Sequence, residues 1–248
     1  MKKNKKILLL GGSGNLGTAI IKSKHFKNLY FPTKKKLNLL NRKSIRKILN
    51  KNNFYLIINC AAMARILDCE KNISKAINVN IQGTHNLVKE VILHQKKNKK
   101  KIKFLHISSD AVYPSLKGNY SETGPLGPYN IYGWTKLASE FLVRVLENHV
   151  IIRTRFFEKK KIKFKKSATD LFTSSIEIND LVKKIKIIIS KNFLGTINVG
   201  TKRHSDYIQY KKFKTNLRPC KRKDIMRNLN VNLAKDSSMN LSLLKKIK

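Results

Sequence analysis

The sequence predicts an α/β protein built on a doubly wound parallel sheet. Short apolar runs alternate strictly with longer stretches of helical periodicity, and the runs are too uniformly apolar to have one wet face. A glycine cluster, GGSGNLG, follows the first run directly and opens a helix. Strands covered on both faces and joined through helices call for this architecture.

Taken in order, Ile7 to Leu10 reads as the first strand, followed by a helix after Gly14. Tyr55 to Cys60 is the next clear strand, and a long helix runs from about Ser74 to Gln95. Lys96 to Lys101 reads as an exposed connection into the strand Ile102 to Ile107. A helix from about Tyr129 to Leu146 leads to the strand Val150 to Thr154. Ile178 to Ile189 and Thr196 to Val199 supply one more helix and strand. The basic stretch Lys159 to Lys166 shows no period. The division expected is a core over 1–157 and a reduced C-terminal lobe over 158–248 that completes the fold and binds substrate.

With 248 residues, 41% hydrophobic and 8% aromatic, the chain has enough apolar surface for a core, which excludes wholesale disorder. The net charge of +40 is spread over nearly every segment, so it reads as a solvated lysine-rich surface rather than a nucleic-acid site. No run approaches the roughly eighteen apolar residues of a membrane span. The opening MKKNKKILLL mimics a signal peptide, but Gly11 and Gly12 end its apolar run, so it reads as a strand. Three cysteines without a CxxC pair indicate neither a disulfide framework nor zinc, and make a reducing cytoplasm the expected location. Six histidines without ligand spacing give no reason to expect a metal.

Gly11, Gly14 and Gly17, with Asn15 and Leu16 between them, satisfy dinucleotide-binding spacing in the right context, between an apolar strand and a helix. Glycines let the backbone approach a pyrophosphate, whose charge rests on the amides at the helix start. The acidic residue that would hold the ribose of NAD is not obvious. YFPTKKK, with Lys34 to Lys36, gives a mild preference for NADP over NAD.

Carbonyl reduction needs a proton donor, a cation that acidifies it, and a hydroxyl that holds the carbonyl. Tyr132, Lys136 and Ser109 can supply these. The YxxxK spacing recurs at Tyr30, Tyr113, Tyr207 and Tyr210, so context must choose. Only Tyr132 and Lys136 lie inside a long helical pattern, on one face and behind Pro128. Ser108 and Ser109 end a strand, where a parallel sheet presents its ligand crevice.

GGSGNLG, NCAA at Asn59 to Ala62, NIQGTHNLV from Asn80, ISSDAVYP from Ile107, PYNIYGWTK from Pro128 and KDSSMNLSLLKK from Lys235 together resemble the extended short-chain dehydrogenases. Within these the likeness is to the dTDP-4-dehydrorhamnose reductase group, and it covers nearly the whole chain. The resemblance implies an NAD(P)-binding Rossmann fold and a nucleotide-sugar substrate. It also implies that Tyr132 is the general acid, that Lys136 depresses its pKa and binds the nicotinamide ribose, and that Ser109 bonds the keto oxygen. Asn59, Ala61 and Ala62 would line the cofactor cleft, and Asn80 would be structural. Only Phe156 to Thr173 stands where the group has a larger substrate-binding insertion, and Ala111 after Asp110 disfavours a dehydratase.

The activity expected is reduction of a nucleotide-linked 4-keto-6-deoxysugar in surface polysaccharide or nucleotide-sugar synthesis. The alternatives are an NAD-dependent epimerase and a nonenzymatic binding or regulatory subunit. A nucleic-acid binder has no motif to support it, and a homodimer is a further expectation.

Overall fold

The computed structural model describes residues 5–247, so the Met1–Asn4 start of the opening run lies outside them. Six strands form one sheet: β1 (Lys6–Leu10), β2 (Leu29–Tyr30), β3 (Phe54–Asn59), β4 (Lys103–Ile107), β5 (His149–Thr154) and β6 (Gly195–Val199). Their order is β6-β5-β4-β3-β1-β2, and every pairing is parallel. The predicted doubly wound sheet is therefore present. Alternate residues of the uniformly apolar strands feed two separate cores. Ile7, Leu9, Ile58 and Ile152 pack with α1 (Asn15–Ser23) and α7 (Ile178–Ser190) on one face. Leu8, Leu10, Ile57 and Ile151 pack with α2 (Arg42–Lys51), α5 (Gly83–Asn98) and α6 (Ile131–Arg144) on the other.

The long predicted helix is three joined pieces. α4 (Ile73–Ala76), capped by the Asn72 side chain, runs through a π-helical turn, Ile77–Gln82, into α5. α5 continues through Lys96 and Lys97 to Asn98, beyond the predicted end, because lysine is a good helix former and its charge is favourable at a helix C-terminus. α3 (Ile66–Lys71) precedes this unit. The second strand is only two residues long, too short to leave a pattern.

Residues past β5 are not all outside the core expected over 1–157: β6 pairs with β5 at the edge of the sheet and α7 packs in its first core, while α8 (Asp206–Lys211), α9 (Arg222–Leu229) and short ladders lie outside the sheet. In those ladders Lys166–Ala168 pairs with Arg218–Cys220, and Phe172–Thr173 with His204–Ser205. α10 (Ser242–Lys246) returns to the first core through Leu244. The chain runs from β1 to β2 on one side and then crosses to β3 on the other, and this change of direction opens a crevice beyond their carboxyl ends.

Candidate active site

The crevice holds a cavity of about 550 Å³, lined by Gly11, Gly12, Ser13 and Gly14 behind β1, by Phe31 to Lys34 behind β2, and by Cys60, Ala61 and Ala62 behind β3. Its floor is a close backbone crossing. Gly11 has φ +76°, and a Cβ there would meet the Ala61 nitrogen at 2.7 Å. A Cβ on Gly17 would meet the Gly11 carbonyl oxygen at 2.2 Å, so α1 can approach the loop only with glycine there. No acidic side chain lines the cavity among the described residues, whereas Lys34 does.

Of the residues expected to hold a cofactor, Gly11, Gly14, Ala61 and Ala62 form the wall, and Tyr132 and Lys136 do not line it. Leu16 and Gly17 do not line it: Leu16 is buried in the core, and Gly17 packs against the loop from behind. Asn15 is exposed at the start of α1, where its Oδ1 accepts from Lys161 Nζ at 3.0 Å. Lys161 belongs to the basic stretch for which residue order suggested no role. Asn59 is also absent from the wall, contrary to expectation. It is the last residue of β3, 1% exposed, and bonds inward to His106 and to the Ala61 N–H.

The three expected catalytic residues converge on the carboxyl edge of β4. Ser109 follows that strand and caps a short 3₁₀ turn, Asp110–Val112, its Oγ accepting from the Ala111 N–H at 3.1 Å. Asn130 caps α6 by accepting from the Gly133 N–H at 2.8 Å, which sets Tyr132 and Lys136 one turn apart on the helix. Ser109 Oγ donates to Asp110 Oδ1 at 3.1 Å and lies close enough to the Tyr132 phenol to act on its proton affinity. Burial pushes the Tyr132 phenol above its ordinary value while Ser109 acts the other way, and the lowering expected from Lys136 is not among the effects acting on it. Lys136 is 2% exposed, and burial pushes its amine down to about 8, opposed by the charge of Glu140. Its Nζ lies 3.1 Å from His106 Nε2.

Polar groups from distant segments complete the site. Asp110 Oδ2 accepts from Ser237 Oγ at 2.6 Å, which ties the C-terminal segment to the turn beside Ser109. Arg155, just past β5, pairs with Asp206 of α8 at 2.8 Å. Burial raises the Tyr129 phenol, and the charges of Asp110, Arg155 and Asp206 all act on it. Under the site, Arg153 and Glu140 form a fully buried ion pair at 2.7 Å, and Glu140 also accepts from Ser108. Asn80, in the π turn, donates to Thr135 Oγ1 at 2.8 Å and bonds both backbone groups of Met63, the structural role expected of it.

His106, Tyr129 and Lys161 were not picked out from the sequence. For His106 a signal existed, a histidine inside the otherwise apolar run KFLHI. For the other two, neighbouring prolines and lysines hid any signal.

Comparison with known proteins places this geometry. The chain is 30% identical over 155 residues to the spore coat polysaccharide biosynthesis protein SpsK of Bacillus subtilis, a match covering 60% of this chain and 52% of that one. It is 29% identical over 154 residues to dTDP-4-dehydrorhamnose reductase of Aggregatibacter actinomycetemcomitans, covering 60% and 50%. It is also 29% identical over 156 residues to methionine adenosyltransferase 2 subunit beta of Bos taurus, covering 59% and 44%. The chain thus spans about half the length of the curated relatives it matches. Among solved structures, Bacillus anthracis dTDP-4-dehydrorhamnose reductase in complex with NADP superposes with a TM-score of 0.85 at 23% identity, covering 99% of this chain and 93% of that one. That likeness shows the shared fold. The family model described as RmlD substrate binding domain matches residues 5–181, and with most of its length so covered the chain belongs to that family.

Proposed function

We propose that this protein is an NAD(P)-dependent reductase of a nucleotide-linked 4-keto-6-deoxysugar, working in the cytoplasm in surface polysaccharide or nucleotide-sugar synthesis. The observation that carries the reading is the closeness of Ser109 to Tyr132, with Lys136 one helical turn on and Cys60, which lines the glycine-walled cavity, near enough to act on that lysine. The cavity fits a dinucleotide: a Cβ at Gly11 would collide with the opposite wall, and the start of α1 faces the loop where a pyrophosphate would lie. Gly11, Gly14, Ala61 and Ala62 would hold the cofactor. Lys34 in the wall, without an acidic neighbour there, favours NADP over NAD.

When bound, the reduced nicotinamide supplies a hydride for the keto carbon. Tyr132, a protonated phenol at neutral pH, donates from Oη to the keto oxygen as that atom gains charge. Ser109 Oγ holds the same oxygen in place. Lys136, still mostly an ammonium at neutral pH with its titration near 8, stabilises the phenolate left behind. The residues of 158–248 outside α7 and β6 would close the substrate side, and the free thiols Cys60, Cys69 and Cys220 suit a reducing compartment.

The test is loss of absorbance at the reduced nicotinamide band when the protein is mixed with NADPH or NADH and nucleotide-linked keto sugars. Tyr132→Phe is expected to reduce the rate by about 10²–10⁴-fold while leaving cofactor affinity in place. A second reading, a binding subunit without turnover, draws support from the likeness to methionine adenosyltransferase 2 subunit beta. It would be favoured by tight cofactor binding with no oxidation of any sugar in the panel, and an epimerase by conversion of the sugar without net cofactor oxidation.

We also propose a homodimer through the outer faces of α5 and α6. An apolar groove there is lined by Val88, Ile92, Leu93, Leu142 and Val145, with Phe141 exposed nearby, and only His85 and Lys89 bring titratable groups to it. In a chain of charge +40, a nearly uncharged face is where two copies can approach.

A further inference from the structure

Behind the Ala61 wall of the cavity runs a buried polar chain that the reduction as described does not use. Asn59 Oδ1 accepts from the Ala61 N–H at 3.2 Å. Because that partner can only donate, the amide is oriented, and Asn59 Nδ2 donates to His106 Nδ1 at 3.2 Å. A neutral imidazole that accepts at Nδ1 carries its proton on Nε2. Burial, followed by the charge of Lys136, holds His106 well below its ordinary value, so the ring stays neutral. Its Nε2 faces Ser139 Oγ at 3.0 Å and Lys136 Nζ at 3.1 Å. The Ser139 hydroxyl spends its own proton on the Lys136 carbonyl at 2.7 Å, which leaves Oγ to accept.

The one N–H on Nε2 is thus shared between Ser139 Oγ and Lys136 Nζ, and Nε2 has no lone pair to offer the lysine. An ammonium has donors only and gains nothing from that neighbour, whereas a neutral amine can accept from it. With the ring proton on Nδ1 instead, Nε2 would accept from the ammonium. Asn59 would then have to turn its oxygen towards His106 and give up the Ala61 N–H.

We infer that His106 is a positioning residue for Lys136: its tautomer, selected by Asn59, tunes how tightly the lysine holds its proton and couples it to the Ala61 wall of the nucleotide cavity. The titratable groups about Lys136 are Cys60 from the turn after β3, His106 from β4, and Tyr132 and Glu140 from its own helix. His106 differs from them in that moving one proton between its two ring nitrogens exchanges a donor for an acceptor at the atom facing the amine. A change at the cavity wall that draws away the Ala61 N–H would release Asn59, allow the second tautomer and favour the ammonium. The inference rests on Lys136 as the lysine of the proposed reduction, but the coupling can be measured without turnover.

The experiment is a pH titration of the Lys136 side-chain nitrogen by heteronuclear NMR on lysine-labelled protein, read through the ε-methylene protons and assigned by loss of the signal in Lys136→Met. His106→Gln can present its amide oxygen to the ammonium, and the midpoint is expected to rise by about one pH unit, a roughly tenfold gain in proton affinity. Asn59→Leu keeps the imidazole but frees its tautomer, and is expected to move the midpoint the same way; it also covers the case in which the glutamine disturbs folding. Far-UV circular dichroism identifies the folded variants. A rise in either folded variant supports the inference, and an unchanged or lowered midpoint in both overturns it. If the wild type neither binds nor oxidises NADPH, the proposed reductase falls while the titration still decides the coupling.

Discussion

A methyl group on Gly17 would sit 2.2 Å from the Gly11 carbonyl oxygen and 2.7 Å from the Gly12 Cα, both backbone atoms with nowhere to retreat. Gly17→Ala is therefore expected to push α1 off the loop, costing about 1–3 kcal/mol by urea unfolding and weakening NADPH affinity at least tenfold. Unchanged affinity in a fluorescence titration would mean that the loop does not hold the dinucleotide. At this scale the glycines were legible because their spacing and setting are local. Tyr132 was legible only through its helix, since four other tyrosines share the spacing. Asn59, which the family resemblance put in the cofactor cleft, instead turns inward from the last position of β3 to a histidine 47 positions away, a contact that no local pattern announces.

Among elements, α2 was the least visible, because Lys43, Arg46, Lys47 and Lys51 dilute its apolar residues. Folded, it buries Ile45, Ile48 and Leu49 and fixes itself to α5 through Glu90, which takes both Arg46 and Arg42. The Arg46 hydrogen bond, with Arg42 and the charges of both, holds the Glu90 carboxyl below its ordinary value. A carboxylate with a lowered folded pKa adds stability above its unfolded value of about 4.3 and loses it as pH falls through the folded one. Glu90→Gln is thus expected to lower the urea midpoint at pH 7 and to flatten its decline below about pH 4. An unaltered acid limb would mean that the pair contributes nothing. The π turn was invisible for another reason: Ile77 to Gln82 continues the apolar period of its neighbours, and what marks it is the Asn80 side chain reaching Met63 and Thr135.

On the scale of the molecule, the apolar face of α5 and α6 and the surface of charge +40 pull in opposite directions. Size-exclusion chromatography with light scattering is expected to find a dimer that Phe141→Lys converts to a monomer with an unchanged circular dichroism spectrum. A wild-type monomer at tens of micromolar would dismiss the pairing. The lobe belongs to this scale too, since Ser237 bonds Asp110 across 127 positions and Arg155 reaches Asp206 across 51. Its ladders are two or three residues each, below the length at which a pattern can be read.

Residue order alone was enough for the alternation of strand and helix, the parallel sheet, the glycine turn and the helix that carries Tyr132 and Lys136, because each rests on a period or spacing within about twenty residues. The folded chain was needed to show that Lys136 faces His106, that Asn59 stands behind the wall and that Ser237 completes the turn at Ser109. Those contacts join separate strands and the C-terminal segment, and which side chains meet there depends on the register and packing of elements far apart along the chain.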